Sequence, residues 1–386
     1  MTAAPQAGSA PRILFLNNQG LASMGGGVTI LRHLVADLAR DSAVTVLSHD
    51  APGPAPDGVR QITVPPPPPA GRLWRLAPLL RARHLRRAVP EPLLRQADLV
   101  IALDCHFAFL LRRWRPLRLI YLSLSCIPRQ EFQAAGGRNG VLAFLQYVLI
   151  ERRAARAADV VVVASATHAA ELRRFERLGG GSIVVLPPVF PAPEPPQPGR
   201  RGTGGLTLLS AGRLDAVKNY RAVIDLAARL RDLPCRFVIA GEGPEARLLR
   251  DAASAAGVAD RVSFPGVVAD LAPLLAEADL FLHPSRYESF GIAVFEAMRA
   301  GVPPVGARGA VAGYREFAPD GIACCYVDFD RPDEAAAALR GLLADAPRRA
   351  AMGRAAQAAA ARLAGRSYTA AFRDIATGLL ARPAAA

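Results

Sequence analysis

Residues 283–306 of this 386-residue chain read His-Pro-Ser-Arg-Tyr-Glu-Ser-Phe-Gly-Ile-Ala-Val-Phe-Glu-Ala-Met-Arg-Ala-Gly-Val-Pro-Pro-Val-Gly, combining two carboxylates with a place for an anion. Leu280, Phe281 and Leu282 precede them as an apolar strand. A helix is expected from near Gly291 to Gly301, where Pro303 prevents its continuation. A short polar loop carries Glu288, Ser289 and Gly291, and Glu296 follows Glu288 by eight positions. The backbone N–H groups of Phe290, Gly291 and Ile292 would be free at the helix start, where anions are favoured. Eight helical residues rise about 12 Å. That spacing lets two carboxylates touch separate polyols with a diphosphate between them. The competing reading is an amphipathic helix with one Glu at its positive end.

A diphosphate needs cations. The chain holds 47 Lys plus Arg, and Lys218 is its one lysine. It lies in Ser210-Ala211-Gly212-Arg213-Leu214-Asp215-Ala216-Val217-Lys218-Asn219, after the apolar stretch 206–209 and before a helix striped by Val223, Ile224, Leu226 and Leu230. Arg213 offers a rigid bidentate fork and Lys218 a compact, mobile charge, and a leaving diphosphate uses both. A surface lysine without a role is the alternative.

Three glycine segments complete the set. Met24-Gly25-Gly26-Gly27 closes the first strand–helix loop, where glycine lets backbone approach a ligand. It is not G-x-G-x-x-G, and Asp50 after the second strand is the one feature favouring NAD. Gly241-Glu242-Gly243-Pro244-Glu245 opens a helix, and Phe264-Pro265-Gly266-Val267-Val268 ends a strand. Each is also readable as a plain turn.

The E-x7-E spacing, set in S-x-x-E-S-F-G and then E-A-M-x-A-G-x-P, resembles the donor signature of retaining GT-B glycosyltransferases of group 1, family 4. The G-R-L-x-x-x-K-N segment resembles the same family. The resemblance covers nearly the whole chain, most specifically residues 206–309. It implies that Arg213 and Lys218 hold the donor's diphosphate, that Glu288 contacts the transferred sugar and that Glu296 grips the ribose. Ser289, Phe290, Gly291 and Ile292 would meet the donor at the helix start. Gly26 and Gly27 would face the diphosphate and acceptor, Gly243 would line the donor site, and the backbone at Val267 would meet the nucleobase. The family has no agreed covalent nucleophile. Attack would come from the face the diphosphate leaves, with its oxygen as base. No D-x-D metal site is apparent, so neither a metal nor a cofactor beyond the nucleotide-sugar substrate is expected. One departure stands out: many relatives carry a His after the strand matching 119–124, and here the residues are Ser123, Leu124, Ser125 and Cys126. His106 is the available substitute. A nucleotide-sugar epimerase and a non-catalytic GT-B partner subunit remain the rival functions. The first should show added acids and His at the cleft, the second a broken diphosphate site.

The elements that must position these residues form two α/β series. Strands are expected at 12–16, 43–47, 99–102, 117–122, 160–163 and 183–186, with a helix at 28–40 and a stiff proline-rich connection at 52–70. After a Pro/Gly-rich linker come strands at 206–209, 236–240, 262–264, 280–282 and 302–305. This pattern predicts two Rossmann-like domains facing a central cleft. Residues 1–190 would form the acceptor side, 191–205 the linker and 206–365 the nucleotide-sugar domain. In the resembled fold the final segment, 366–386, crosses back to the first domain as a helix.

Composition sets limits. Hydrophobic residues make up 51%, which supports a large core. No apolar run reaches the roughly 18 residues of a membrane span, no secretory signal is visible, and five irregularly spaced cysteines read as reduced. The expected location is the cytoplasm, with peripheral contact to the inner face of its membrane. Residues 1–190 carry 23 Arg against 12 acids (+11), and residues 191–386 carry 24 cations against 21 acids (+3). Arg72, Arg75, Arg81, Arg83, Arg86, Arg87 and Arg95 interleave with Trp74 and leucines, and Arg112, Arg113, Arg115 and Arg118 surround Trp114. Arg, Trp and Leu together suit an anionic membrane surface, and no nucleic-acid motif accompanies them. A solvated arginine-rich face is the alternative. The acceptor would then be a lipid-linked or cell-envelope glycan. Each Arg contributes about 1 kcal/mol at an anionic surface, less with salt. Flotation with anionic vesicles should therefore be strong at low salt and lost on replacing Arg83, Arg86 and Arg87 by Glu. Equally poor flotation with anionic and neutral vesicles would favour a soluble acceptor.

Overall fold

A computed structural model describes residues 10–23, 25–66, 84–85, 87–111, 117–124, 137–176, 182–190, 205–365 and 367–382. The chain divides into two compact units, Met1–Phe190 with Arg366–Ala386, and Pro191–Gly365.

The first unit contains β1 (Arg12–Leu16), α1 (Gly26–Leu38), β2 (Ala43–Ser48), β3 (Arg60–Thr63), α2 (Glu91–Gln96), β4 (Leu99–Ala102), α3 (Cys105–Leu111), β5 (Leu119–Ser123), α4 (Gly137–Ala157), β6 (Val160–Val163), α5 (Ala166–Glu176) and β7 (Ser182–Val185). The strands form one parallel sheet in the order β3-β2-β1-β4-β5-β6-β7. β4, β5 and β6 are buried along their whole length. Continuous apolar runs of this kind mark a parallel sheet covered on both faces. The strand order reverses between β1 and β4, and the crevice at the carboxyl ends there is where doubly wound sheets bind ligands.

The second unit repeats the scheme. It holds β8 (Leu206–Ala211), α6 (Arg221–Arg229), β9 (Cys235–Ala240), α7 (Ala246–Ala255), β10 (Val262–Gly266), α8 (Ala272–Glu277), β11 (Leu280–His283), β12 (Tyr287–Glu288), α9 (Ile292–Arg299), β13 (Pro304–Ala307), β14 (Val311–Ala312), β15 (Cys325–Val327), α10 (Pro332–Ala344) and α11 (Ala346–Leu363). Its sheet order is β10-β9-β8-β11-β13-β15, with the reversal between β8 and β11. The last helix, α12 (Tyr368–Leu380), belongs to the first unit. There it buries Tyr368 and Phe372, and Arg373 pairs with Asp37 and Asp41 around the end of α1.

Several local expectations shift. The segment read as a stiff connection contains β3, an edge strand paired with β2 from Arg60 to Thr63. Arg-Gln-Ile-Thr has one aliphatic residue, so no alternation announces it. α1 starts at Gly26, so Gly26 and Gly27 belong to its first turn and not to the preceding loop. The strand expected at 302–305 begins at Pro304. Gly301 turns left-handed at φ 70, and Val302 N–H returns to the Ala297 carbonyl to close the end of α9. β12, β14 and β15 were not anticipated, being two or three residues long. Arg72, Arg75, Arg81, Arg83, Arg86, Arg112, Arg113 and Arg115 lie outside the described residues. So do Trp74, Trp114 and Met24, Ser125 and Cys126 after Leu124, and most of the linker. Of the basic residues that are described, Arg95 pairs with Glu91 and Arg118 donates to the Arg382 carbonyl.

α9, which carries Glu296, is backed by α11 through a contact that tolerates no side chain. A Cβ on Gly353 would stand 2.2 Å from the Gly301 carbonyl oxygen. Gly353→Ala should cost about 1–3 kcal/mol by overpacking. Thermal unfolding should show the second unit's transition lowered by several degrees; an unchanged midpoint would mean that α11 does not seat against Gly301.

Candidate functional site

The loops after β8 and β11, the two strands flanking the reversal of the second sheet, carry the predicted residues. They are stapled together. Arg286 N–H donates to the Val217 carbonyl at 2.9 Å, and Ser285 Oγ reaches the same carbonyl at 3.4 Å. Lys218 follows a turn made by Asp215, whose carboxylate accepts from the backbone of Val217 and Lys218, and precedes Asn219 at φ 55. This brings Lys218 Nζ within 2.5 Å of Glu288 Oε2, across seventy residues of sequence. Their side chains are 22% and 15% exposed, so the pair is mostly, not wholly, withdrawn from water.

Glu288 is not in an open loop. It sits on β12, in register with Ala312 of β14. His283 Nε2 lies 3.2 Å from the same Oε2. Burial would raise the Glu288 carboxyl, but Lys218 and His283 outweigh it and hold it at about 2. Burial lowers His283, leaving the ring neutral. An ionised carboxylate accepts only, so the His283 proton must be on Nε2. Tyr220, fully buried beneath Gly212, is pushed up by burial and by the charges of Glu288 and Asp215.

Gly291 joins β12 to α9 at φ 93, where a Cβ would stand 2.8 Å from the Tyr314 ring and 3.3 Å from Glu288 Cγ. Only glycine fits both demands. The helix proper starts one residue later than expected, and its first intrahelical bond runs from Phe295 N–H to the Gly291 carbonyl. The first-turn N–H groups without an intrahelical partner are therefore those of Gly291, Ile292, Ala293 and Val294, which include Gly291 and Ile292 of the expected set. No side chain caps this end. Phe290 is 2% exposed and packs its ring on Phe295 and Phe317, so its side chain belongs to the core. Ser289 is half-buried beside it. Only the stretch from Ile292 to Glu296 is helical, so the separation of the two glutamates is not eight residues of helical rise. Glu296 is exposed, yet the protein around it pushes its carboxyl to about 7, with Asp270 adding repulsion and Arg299 opposing it. That exposure argues for a smaller rise in the same direction.

The remaining second-unit residues lie along one edge. Gly212 N–H bonds the Ala240 carbonyl, Leu214 N–H the Glu242 carbonyl and Gly241 N–H the Gly266 carbonyl. These bonds stitch the loops after β8, β9 and β10 side by side. A Cβ on Gly241 would stand 2.0 Å from the Gly212 oxygen, and one on Gly243 2.4 Å from the Leu214 oxygen. Gly243 thus has a packing duty independent of any ligand. Arg213 projects from this edge, 65% exposed and 3.8 Å from Asp215, and Val267 is 48% exposed.

In the first unit, Asp50 accepts from Gly20 N–H and Ser23 Oγ, so it fastens the β1–α1 loop instead of waiting for a ribose. Arg32 holds the same loop through the Leu21 and Ser23 carbonyls. Gly25, at φ 134, is the uncapped start of α1. His106 is buried, with Nδ1 2.8 Å from Asp104. Cys105 completes a cluster of ligand-type atoms there, but the Asp104–His106 hydrogen bond accounts for the geometry. Ser123 is buried too: its hydroxyl donates to Glu151, which also accepts from Tyr121, and lies 3.3 Å from His168 Nε2. Burial lowers His168 to about 4. Sequence reasoning missed this cluster, because its members lie on β5, α4 and α5 with no shared spacing. It also gave His283 no role, although His283 opens the signature segment.

Two family models match nearly end to end: Glycosyltransferase Family 4 over residues 24–190 and Glycosyl transferases group 1 over residues 194–359. The chain belongs to the group 1, family 4 glycosyltransferases. Its fold is GT-B. Sucrose-phosphate synthase from Thermosynechococcus elongatus superposes with TM-score 0.78 at 18% identity, covering 96% of this chain and 99% of that one. The Anabaena protein HepE, solved with UDP and glucose, gives 0.71 at 19% identity, covering 96% and 99%. A D-inositol 3-phosphate glycosyltransferase of Thermobispora bispora is 30% identical over 257 residues, 61% of this chain and 59% of that protein. The chain therefore spans less than two thirds of the length of the curated relatives it matches, and half or less of several.

The two glutamates give the protein opposite pH signatures. The Glu288 carboxyl is depressed from 4.5 to about 2, so its stabilisation is complete above about pH 5 and is lost as pH falls towards 2. Glu296 is raised, so its ionisation costs stability as pH rises above about 4.5. Denaturant titrations should show Glu288→Gln flattening the acid limb and Glu296→Gln flattening the loss towards neutrality. Unchanged limbs in both variants would contradict these environments.

Proposed function

We propose that the protein is a retaining glycosyltransferase that moves a sugar from a nucleotide-diphosphate donor to a glycan or glycolipid acceptor. The observation that carries this reading is the meeting of Lys218 and Glu288 at the reversal point of the second sheet, beside the uncapped start of α9. A mobile cation, an exposed Arg213 fork and free helix N–H groups suit a leaving diphosphate, whose charge must be stabilised as the glycosidic bond breaks. Glu288 then serves the transferred sugar and Glu296 the ribose. With two cations present, the reaction needs no metal and no further cofactor. HepE, with UDP bound, lends the donor class support.

The acceptor reading, a lipid-linked or cell-envelope glycan at the inner face of the cytoplasmic membrane, rests on the arginine clusters of residues 72–95 and 112–118. Among the described residues no helix is long and apolar enough to cross a membrane. The intact set of Arg213, Lys218, Glu288 and Glu296 argues against a non-catalytic partner subunit.

Calorimetry in EDTA should show binding of UDP or GDP. Lys218→Ala should lower turnover by about 10²-fold, the scale for losing a preorganised charge. Lys218→Arg should not restore it fully, because a planar fork does not reproduce a point charge. Failure of every common nucleoside diphosphate and nucleotide-sugar to bind would overturn the donor reading.

A further inference from the structure

We infer that His283 is a positioning residue: its Nε2 proton holds the Glu288 carboxylate in place when Lys218 turns to the donor's diphosphate. This rests on the donor reading above and adds a residue to it. Lys218 and His283 both reach the same oxygen, Oε2, at 2.5 and 3.2 Å. A lysine that serves an incoming diphosphate must share or leave its bond to Glu288. Without a second anchor, the freed carboxylate could rotate away from the sugar it is to meet.

His283 is built as that anchor. It is the last residue of β11, fixed by register with Gly306, and its side chain is 3% exposed. Its ring stacks on Phe281 at 6.2 Å and meets the edge of Tyr314 at 5.5 Å. Tyr314 is itself stacked on Tyr326 at 6.2 Å and occupies room that side chains on Gly291 and Gly306 would take. The imidazole is neutral, so it holds Glu288 without adding a cation that would compete for the phosphate or draw the carboxylate towards the leaving group.

Three variants separate orientation from packing. His283→Gln keeps an N–H donor at similar reach, His283→Phe keeps the ring and loses the donor, and His283→Ala loses both. Affinity for UDP and GDP in EDTA should stay within about threefold in all of them, since those contacts belong to Lys218, Arg213 and α9. Misplacing a reacting group by about 1 Å costs on the order of 10²-fold. Turnover of UDP-glucose or GDP-mannose should therefore fall by that factor in His283→Phe, with KM little changed, and recover to within about tenfold in His283→Gln. In His283→Phe the acid limb of the kcat profile should also move to higher pH, because Glu288 loses a donor. Full turnover in His283→Phe, equal impairment of the Phe and Gln variants, or an unmoved acid limb would each overturn the inference. If His283→Gln does not fold, the acid limb of His283→Phe decides alone. Should wild-type protein bind neither nucleotide, the donor reading falls, while the acid limb of unfolding in His283→Phe still reports whether His283 holds Glu288.

Discussion

A single carboxylate oxygen, Oε2 of Glu288, is where the second unit converges. Lys218 arrives from the loop after β8, His283 from the end of β11, and Glu288 itself from β12. A mostly buried carboxylate without partners would take up a proton instead of staying charged. With Lys218 and His283 beside it Glu288 stays ionised, and the local backbone follows from that requirement. Gly291 must be glycine so that Tyr314 and Glu288 can both approach it, and β12 must pair with β14 to fix the carboxylate's direction. The Val217–Arg286 backbone bond keeps the two loops in step. The sheet brings the ends of β8 and β11 together, and the loops turn that adjacency into a charged site.

Much of this was readable in the residues. The Lys218 and Glu288 segments each follow an apolar run and precede a helical stripe, so their placement at strand ends came directly from hydrophobic periodicity. The doubly wound order followed from two alternating α/β series. Other features carried no local signal. β3, β12 and β14 are too short or too polar to show a period, and they exist because neighbouring strands offer them partners. At the start of α9 Gly291 is left-handed, and the ring of Tyr314, distant in sequence, leaves no room for a Cβ there. The duty of Gly243 against Leu214 is likewise a tertiary fact. So is the fastening of the first unit's glycine loop by Asp50 and Arg32, which turns an apparent ribose ligand into a structural clamp.

The buried cluster of Tyr121, Ser123, Glu151 and His168 shows what stands at the end of β5. Ser123 there is enclosed and hydrogen-bonded to Glu151.

The solitary lysine also makes the protein chemically addressable. Apart from the chain's own α-amino group, Lys218 is the one amine in the molecule, partly open to solvent and fastened to Glu288. Acylation erases the charge of a lysine. An amine-selective acylating reagent, harmless to 46 arginines, would therefore strike the side chains of this protein at one position. It would leave Glu288 with His283 as its remaining anchor, and an occupied site would shield the target.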